Sequence, residues 1–125
     1  MQLPADLLIR VVDVTTAAVA NAVTNRGGGI LLEPPLDTRY RVWAFALQTG
    51  QTTGAGTAVS AQLRSNAGIG VEMFATIAMA GPNNKQEPIP GGFALPANRA
   101  ISCEDRCTAV STFLRYIVYY TIESI

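Results

Sequence analysis

The sequence contains no histidine and a single lysine, Lys85. The first absence removes the commonest general base and the commonest metal ligand. The second belongs to a wider scarcity of charge. Nine Lys and Arg balance nine Asp and Glu, charged residues make up 14% of the chain, and no block of one sign occurs. A nucleic-acid groove or a contact with an acidic membrane surface calls for clustered positive charge, so neither is expected. No stretch approaches the ~20 apolar residues of a membrane helix. The opening MQLPADLLIRVVDV lacks a basic start, and Asp6, Arg10 and Asp13 interrupt its apolar run, which argues against a secretory signal. Two cysteines, with no histidine beside them, are too few ligands for a zinc site.

What is present is apolar. Hydrophobic residues form 49% of 125 residues, enough for one domain with one modest core. Domains typically carry about 25% charge, so this surface is under-charged for a small monomer. Large exposed apolar patches are uncommon on soluble monomers, and a partner is expected to cover some of it.

Period-two patterning dominates. In TAVSAQLR (57–64), Val59, Ala61 and Leu63 face one side and Ser60, Gln62 and Arg64 the other. In IGVEMFATIAM (69–79), Ile69, Val71, Met73, Ala75, Ile77 and Met79 share a face, opposite Glu72, Phe74 and Thr76. RAISCE (99–104) alternates more briefly, and the β-branched LLIRVVDV (7–14) suits a strand. TTAAVANAV (15–23) is either a helical turn or a second strand. The breaks are TNRGGG (24–29), EPPLD (33–37), TGQTTGAG (49–56), SNAG (65–68), LPAN (95–98) and the proline-rich GPNNKQEPIPGG (81–92), which reads as the one long loop. Strands of this length between Gly/Pro/Asn clusters predict an all-β antiparallel sandwich or barrel spanning residues 1–125.

Two strands have no polar face. In RYRVWAFALQ (39–48), Arg41, Trp43, Phe45 and Leu47 oppose Tyr40, Val42, Ala44 and Ala46. In VSTFLRYIVYY (110–120), Val110, Leu114, Tyr116, Val118 and Tyr120 oppose Phe113, Ile117 and Tyr119. A sandwich strand has one face in the core, so the other must meet something else. A second copy of the chain is the simplest cover.

No catalytic constellation stands out. Cys103 and Cys107 in SCEDRCT would face each other across a three-residue hairpin loop if strand 99–103 turned there; that spacing permits a disulfide, and two reduced thiols at a hairpin end are the alternative. Glu104 and Asp105 read as a solvated polar turn rather than an acid–base pair. Serines and threonines have no histidine base and no nucleophile-elbow setting. The Gly27–Gly29 run lacks the Lys-Ser/Thr of a phosphate loop. Trp43, Tyr40, Tyr116, Tyr119 and Tyr120 could stack on a sugar ring, but on strands they read as packing residues. Arg41 and Arg115, set among aromatics, suit an interface where Arg pairs with a carboxylate and stacks on a ring.

The succession VVDVTTAAVANAV, YRVWAFAL, GTAVSAQLRS, a proline-rich loop, GGFALPANRAISCE and TFLRYIVYYTIE resembles the small jelly-roll-like cement, or decoration, proteins of tailed bacteriophages, from about residue 11 onward. The resemblance rests on strand order and turn placement, not on an invariant motif. It implies a non-enzymatic homotrimer without cofactor or metal, on the outer capsid surface of the virion, assembled in the host cytoplasm and bound to the major capsid protein. The trimer interface would be the outer faces of 39–48 and 110–120, drawing on Tyr40, Arg41, Trp43, Phe113, Arg115, Ile117 and Tyr119. The grip on the capsid would come from residues 1–10, an N-terminal arm carrying Leu3 and Leu7, and from Lys85 and Glu87 in the 81–92 loop. A carbohydrate- or receptor-binding module of a phage tail or surface appendage is the alternative; it needs exposed aromatics in a concave site.

Overall fold

The computed structural model describes residues 4–66 and 71–125. Eight strands follow one another: β1 (Leu8–Thr15), β2 (Val23–Leu31), β3 (Thr38–Thr49), β4 (Ala58–Asn66), β5 (Val71–Ala80), β6 (Asn84–Ala94), β7 (Ala100–Cys107) and β8 (Phe113–Ser124). β1 pairs with β8, β2 with β7, β3 with β6 and β4 with β5, all antiparallel. This is one long four-stranded-by-four hairpin. It is rolled so that β3 also meets β8 and β4 also meets β7. Two sheets result, β1-β8-β3-β6 and β2-β7-β4-β5, which is jelly-roll topology. The predicted all-β antiparallel sandwich is the observed fold.

The core lies between the sheets. One sheet supplies Val42, Phe45, Leu47, Leu114, Tyr116 and Val118; the other supplies Val59, Leu63, Ile77 and Ile101, all at most 2% exposed. The Phe45 and Tyr116 rings stack at 5.8 Å, and Tyr40 meets Tyr120 edge-on at 5.4 Å. Tyr40 therefore points inward, with its hydroxyl donating to the Leu32 carbonyl at 2.6 Å. It is 5% exposed and not available to the outer-face interface expected of it.

Two β-bulges move side chains off the faces that strict alternation assigns. In β3, Val42 pairs with Tyr120 and Ala44 with Tyr119, so Trp43 is an extra residue. The phase flips there, and Phe45 and Leu47 turn into the core instead of sharing a face with Arg41 and Trp43. In β5, Leu63 of β4 opposes Ala75 and Arg64 opposes Met73, leaving Phe74 as the extra residue. Phe74 swings inward onto Phe93, ring planes 2° apart at 4.9 Å, while Met73 is 52% exposed.

Three segments read as breaks are strands. Residues 24–29 run inside β2, whose register slips against β7 between Arg26 and Leu31. Most of 81–92 is β6, an edge strand, where Pro88 and Pro90 need no inward ladder hydrogen bond. Residues 104–107 continue β7, so the expected hairpin between Cys103 and Cys107 does not form. The ambiguous 15–23 stretch is the end of β1 and a loop leading into β2, and Val110 lies in the loop before β8.

The open flanks of the sandwich are stitched by side chains. Arg10 of β1 donates to the Ile30 carbonyl of β2 at 3.0 Å, and Arg26 of β2 donates to the Thr15 carbonyl of β1 at 2.7 Å. On the opposite flank Lys85 of β6 reaches the Ala78 carbonyl of β5 at 3.3 Å, and farther along the same two strands Phe93 stacks on Phe74. A lysine laid across an edge strand also blocks further strand pairing.

Candidate interaction surface

The outer face of the β1-β8-β3-β6 sheet carries the side chains left over when the core is filled. Opposed residues on neighbouring strands stand side by side on one face. Val11 pairs with Ile117, which pairs with Ala46; Ile9 pairs with Tyr119, which pairs with Ala44, which pairs with Pro88. Two adjacent apolar rows result: the first crosses all four strands, and the second spans β1, β8 and β3 and ends at Gln86 of β6. Ile9 is 59% and Val11 48% exposed. Ala46 lies low between taller neighbours, and a trough of about 290 Å³ runs over it, walled by Ile117, Tyr119, Gln86 and Lys85.

Paired charges border this band on both sides. On one side Arg115 donates to both oxygens of Asp13, at 2.7 and 3.1 Å, and its guanidinium sits 5.8 Å from the Phe113 ring centre. That hydrogen bonding holds the Asp13 carboxyl below its ordinary range and raises the Arg115 guanidinium. On the other side Glu123 accepts from Arg41 at 3.0 and 3.1 Å and from Arg39 at 2.7 Å, and both arginines lower its pKa. Arg41 lies over Trp43 at 6.0 Å and donates to the Gly91 carbonyl at 3.1 Å, while the Trp43 indole N–H donates to Thr121 at 3.0 Å.

Arg41, Trp43, Phe113, Arg115, Ile117 and Tyr119 thus come together on this one face. The carboxylate and ring expected to greet each arginine across an interface are supplied from within the chain. Gly92 makes the Arg41 corner. Its φ is +73°, and a Cβ there would stand 2.7 Å from Arg41 Cγ and 2.8 Å from Cδ, so glycine is needed both for the conformation and for the close approach.

The residues expected to grip a capsid fall in two places. Leu3 falls outside the described residues, and Leu7 is half-buried just ahead of β1. Lys85 and Glu87 sit on β6 rather than on a loop, 3.9 Å apart, with Lys85 turned toward β5.

A second polar cluster lies inside the sandwich, where sequence reasoning placed a turn. On β7, Ile101, Cys103, Asp105 and Cys107 point inward. The Asp105 side chain is fully buried; it accepts from Arg26 Nε at 2.8 Å and from the Tyr116 hydroxyl at 2.9 Å. One carboxylate therefore ties β2 and β7 of one sheet to β8 of the other. Burial raises the Tyr116 hydroxyl and pushes the Cys103 thiol up to about 11. Cys103 and Cys107 are buried, free, and four positions apart on one extended strand. At about 3.3 Å per residue their Cα atoms are roughly 13 Å apart, twice the reach of a disulfide. Glu104, on the opposite face, pairs with Arg64 at 2.8 Å. Among the described residues no helix is long and apolar enough to cross a membrane.

The sequence matches no protein-family model and no curated protein. Solved structures do share the fold. A chain from the X-ray structure of tomato aspermy virus superposes with a TM-score of 0.58 at 9% identity, covering 96% of this chain and 80% of that one. A chain from Bacillus endospore appendages, described as a novel family of disulfide-linked pili, gives a TM-score of 0.55 at 14% identity over 100% of this chain and 97% of that one. At such identities the likeness is one of fold: this chain shares its sandwich architecture with chains of tomato aspermy virus and of a Bacillus endospore appendage.

Proposed function

We propose that this protein is a non-catalytic structural subunit of a virion, a cement protein that associates with copies of itself through the outer face of the β1-β8-β3-β6 sheet and binds the outside of a bacteriophage capsid. The observation that carries this reading is the two-row apolar band, Ile9–Tyr119–Ala44–Pro88 across all four strands and Val11–Ile117–Ala46 across three, lying between two ion-pair groups made within the chain. The face is large enough. Four strands about 4.8 Å apart, and a twelve-residue β8 rising about 3.3 Å per residue, give roughly 19 by 40 Å. That is on the order of 800 Å², what one partner contributes to a standard interface.

The charges fit the role. Arg115–Asp13 is neutralised within the chain, and Arg39 and Arg41 share Glu123, so each of these arginines brings a carboxylate partner to the contact and one positive charge is left over at the Glu123 group. An apolar core with a polar rim is the usual anatomy of such contacts. That the fold also occurs in a virus and in a pilus supports a part in an assembly.

The test is co-sedimentation of the purified protein with phage capsids stripped of surface proteins, beside Ile117→Arg. Saturable binding of wild type, lost in the variant, is the expected result. Absence of binding to any tailed-phage capsid, with the oligomer intact, overturns the capsid assignment.

A further inference from the structure

The charges that find no partner within the chain are segregated. Among the described residues, the carboxylates without an ion-pair or hydrogen-bond partner are Asp6, Glu33 and Asp37, and the corresponding arginine is Arg106. Glu33 and Asp37 lie in the β2–β3 loop. Asp6 precedes β1, whose Leu8 pairs with Tyr120 near the same end of β8. Arg106 lies at the far end of β7: the strand begins at Ala100, after the loop whose Asn98 bonds to Thr38 at the start of β3. One end of the sandwich holds the unpaired carboxylates and the opposite end an unpaired cation.

Each end also has a shape to match. The end with the unpaired carboxylates presents Leu32 and Leu36, 78% and 79% exposed. The loop that carries them is not slack. Thr38 donates its backbone N–H at 3.1 Å and its hydroxyl at 2.5 Å to the Pro35 carbonyl, and Tyr40 holds the Leu32 carbonyl. Pro34 is buried and Pro35 stiffens the turn. A pre-ordered loop with exposed leucines loses little entropy when it docks. At the other end, small side chains on the outer face of the second sheet, Ala58, Ser60 and Ala78, floor a hollow of about 290 Å³ bordered by Arg106, Asn21 and Thr108.

We infer that copies of this chain also join head to tail: the Leu32/Leu36 knob of one copy seats in the Ala58–Ser60–Ala78 hollow of the next, with Glu33 and Asp37 facing Arg106. The contact is heterologous and joins opposite ends of the sandwich, so each added copy presents a fresh knob and hollow and the copies stack in open rows. It uses neither apolar row of the β1-β8-β3-β6 face and is independent of that interface.

Sedimentation velocity of the full chain over a concentration series, at low and high salt, tests it. The expected result is a mass that keeps growing with concentration at low salt and grows less at high salt, since exposed charge pairs are screened. Leu36→Asp and Arg106→Glu should each weaken the growth roughly tenfold or more, since a buried leucine or a reversed charge pair is worth at least that in an association constant. The triple variant Glu33→Arg/Asp37→Arg/Arg106→Glu restores the pairing with signs exchanged and should restore growth. All these positions are exposed, and unchanged circular dichroism verifies that the variants fold. A wild-type mass that does not grow, growth unaffected by either single variant, or a triple variant that fails to regain growth each overturns the proposal.

Discussion

Replacing Asp105 with alanine removes the carboxylate that Arg26 and Tyr116 share. The Arg26 side chain is 22% exposed and Tyr116 is fully buried. The variant therefore leaves a largely buried guanidinium without its counter-ion and a buried hydroxyl without its acceptor. Breaking a buried ion pair from one side costs about 3–5 kcal/mol, and an orphaned buried hydroxyl falls within a further ~1–3 kcal/mol. The two overlap because Arg26 keeps its bond to the Thr15 carbonyl, so a total of about 4 kcal/mol is expected. Against a total stability of about 5–15 kcal/mol this removes a large share, and the melting temperature should fall by roughly 10–20 °C. Tyr116→Phe deletes only the hydroxyl and should cost about 1–2 kcal/mol. Urea denaturation of the wild type, Asp105→Ala, Tyr116→Phe and the double variant closes a cycle, in which a coupling of about 1 kcal/mol or more is expected. An Asp105→Ala loss under 1 kcal/mol, or no coupling with Tyr116, would refute the idea that this carboxylate locks one sheet to the other.

Further outcomes follow from the same structure. Gly92→Ala must force a left-handed φ and push Arg41 off its seat, so a loss of about 1–3 kcal/mol is expected, with a shift in Trp43 emission as the arginine moves; an unchanged urea midpoint would contradict the packing described. The Cys103 thiol, raised from 9.0 to about 11 in the folded state, binds its proton more tightly folded than unfolded. Its contribution is complete below about pH 9 and is lost as pH rises to about 11, a drop of up to about 2–3 kcal/mol. Cys103→Ala should flatten the stability-versus-pH curve across that window, and an identical slope would count against the burial. The native protein should also resist thiol-specific reagents until unfolded and then yield two thiols per chain; a Cys103–Cys107 disulfide would contradict the single extended strand.

Much of the fold is written in period-two alternation. Val59, Ala61 and Leu63 are buried as the pattern requires, and the two strands without a polar face are the two central strands of the first sheet. Alternation fails where strand pairing adds a residue. Nothing local marks Trp43 or Phe74 as bulges, because a bulge is defined by the partner strand's count, and each one reverses the faces beyond it. Composition misleads where topology is permissive: Pro88 and Pro90 read as a loop, yet an edge strand tolerates them. The candidate face was legible in part. Arg41, Trp43, Phe113, Arg115, Ile117 and Tyr119 share it, but Ile9, Val11 and Pro88 join only through pairing with β8 and β3. Asp105 was misread as a turn residue because its partner Arg26 lies 79 positions away, and a charge in SCEDRC looks solvated until that pairing is known.

The central claim is that the apolar band of the β1-β8-β3-β6 sheet is an interface between copies. Light scattering on the purified protein at micromolar concentration, with reductant, in wild type and Ile117→Arg, measures it most directly. The account predicts a stable oligomer, a trimer in the cement-protein reading, that Ile117→Arg reduces to a folded monomer. A wild-type monomer, or an oligomer indifferent to Ile117→Arg, would contradict it.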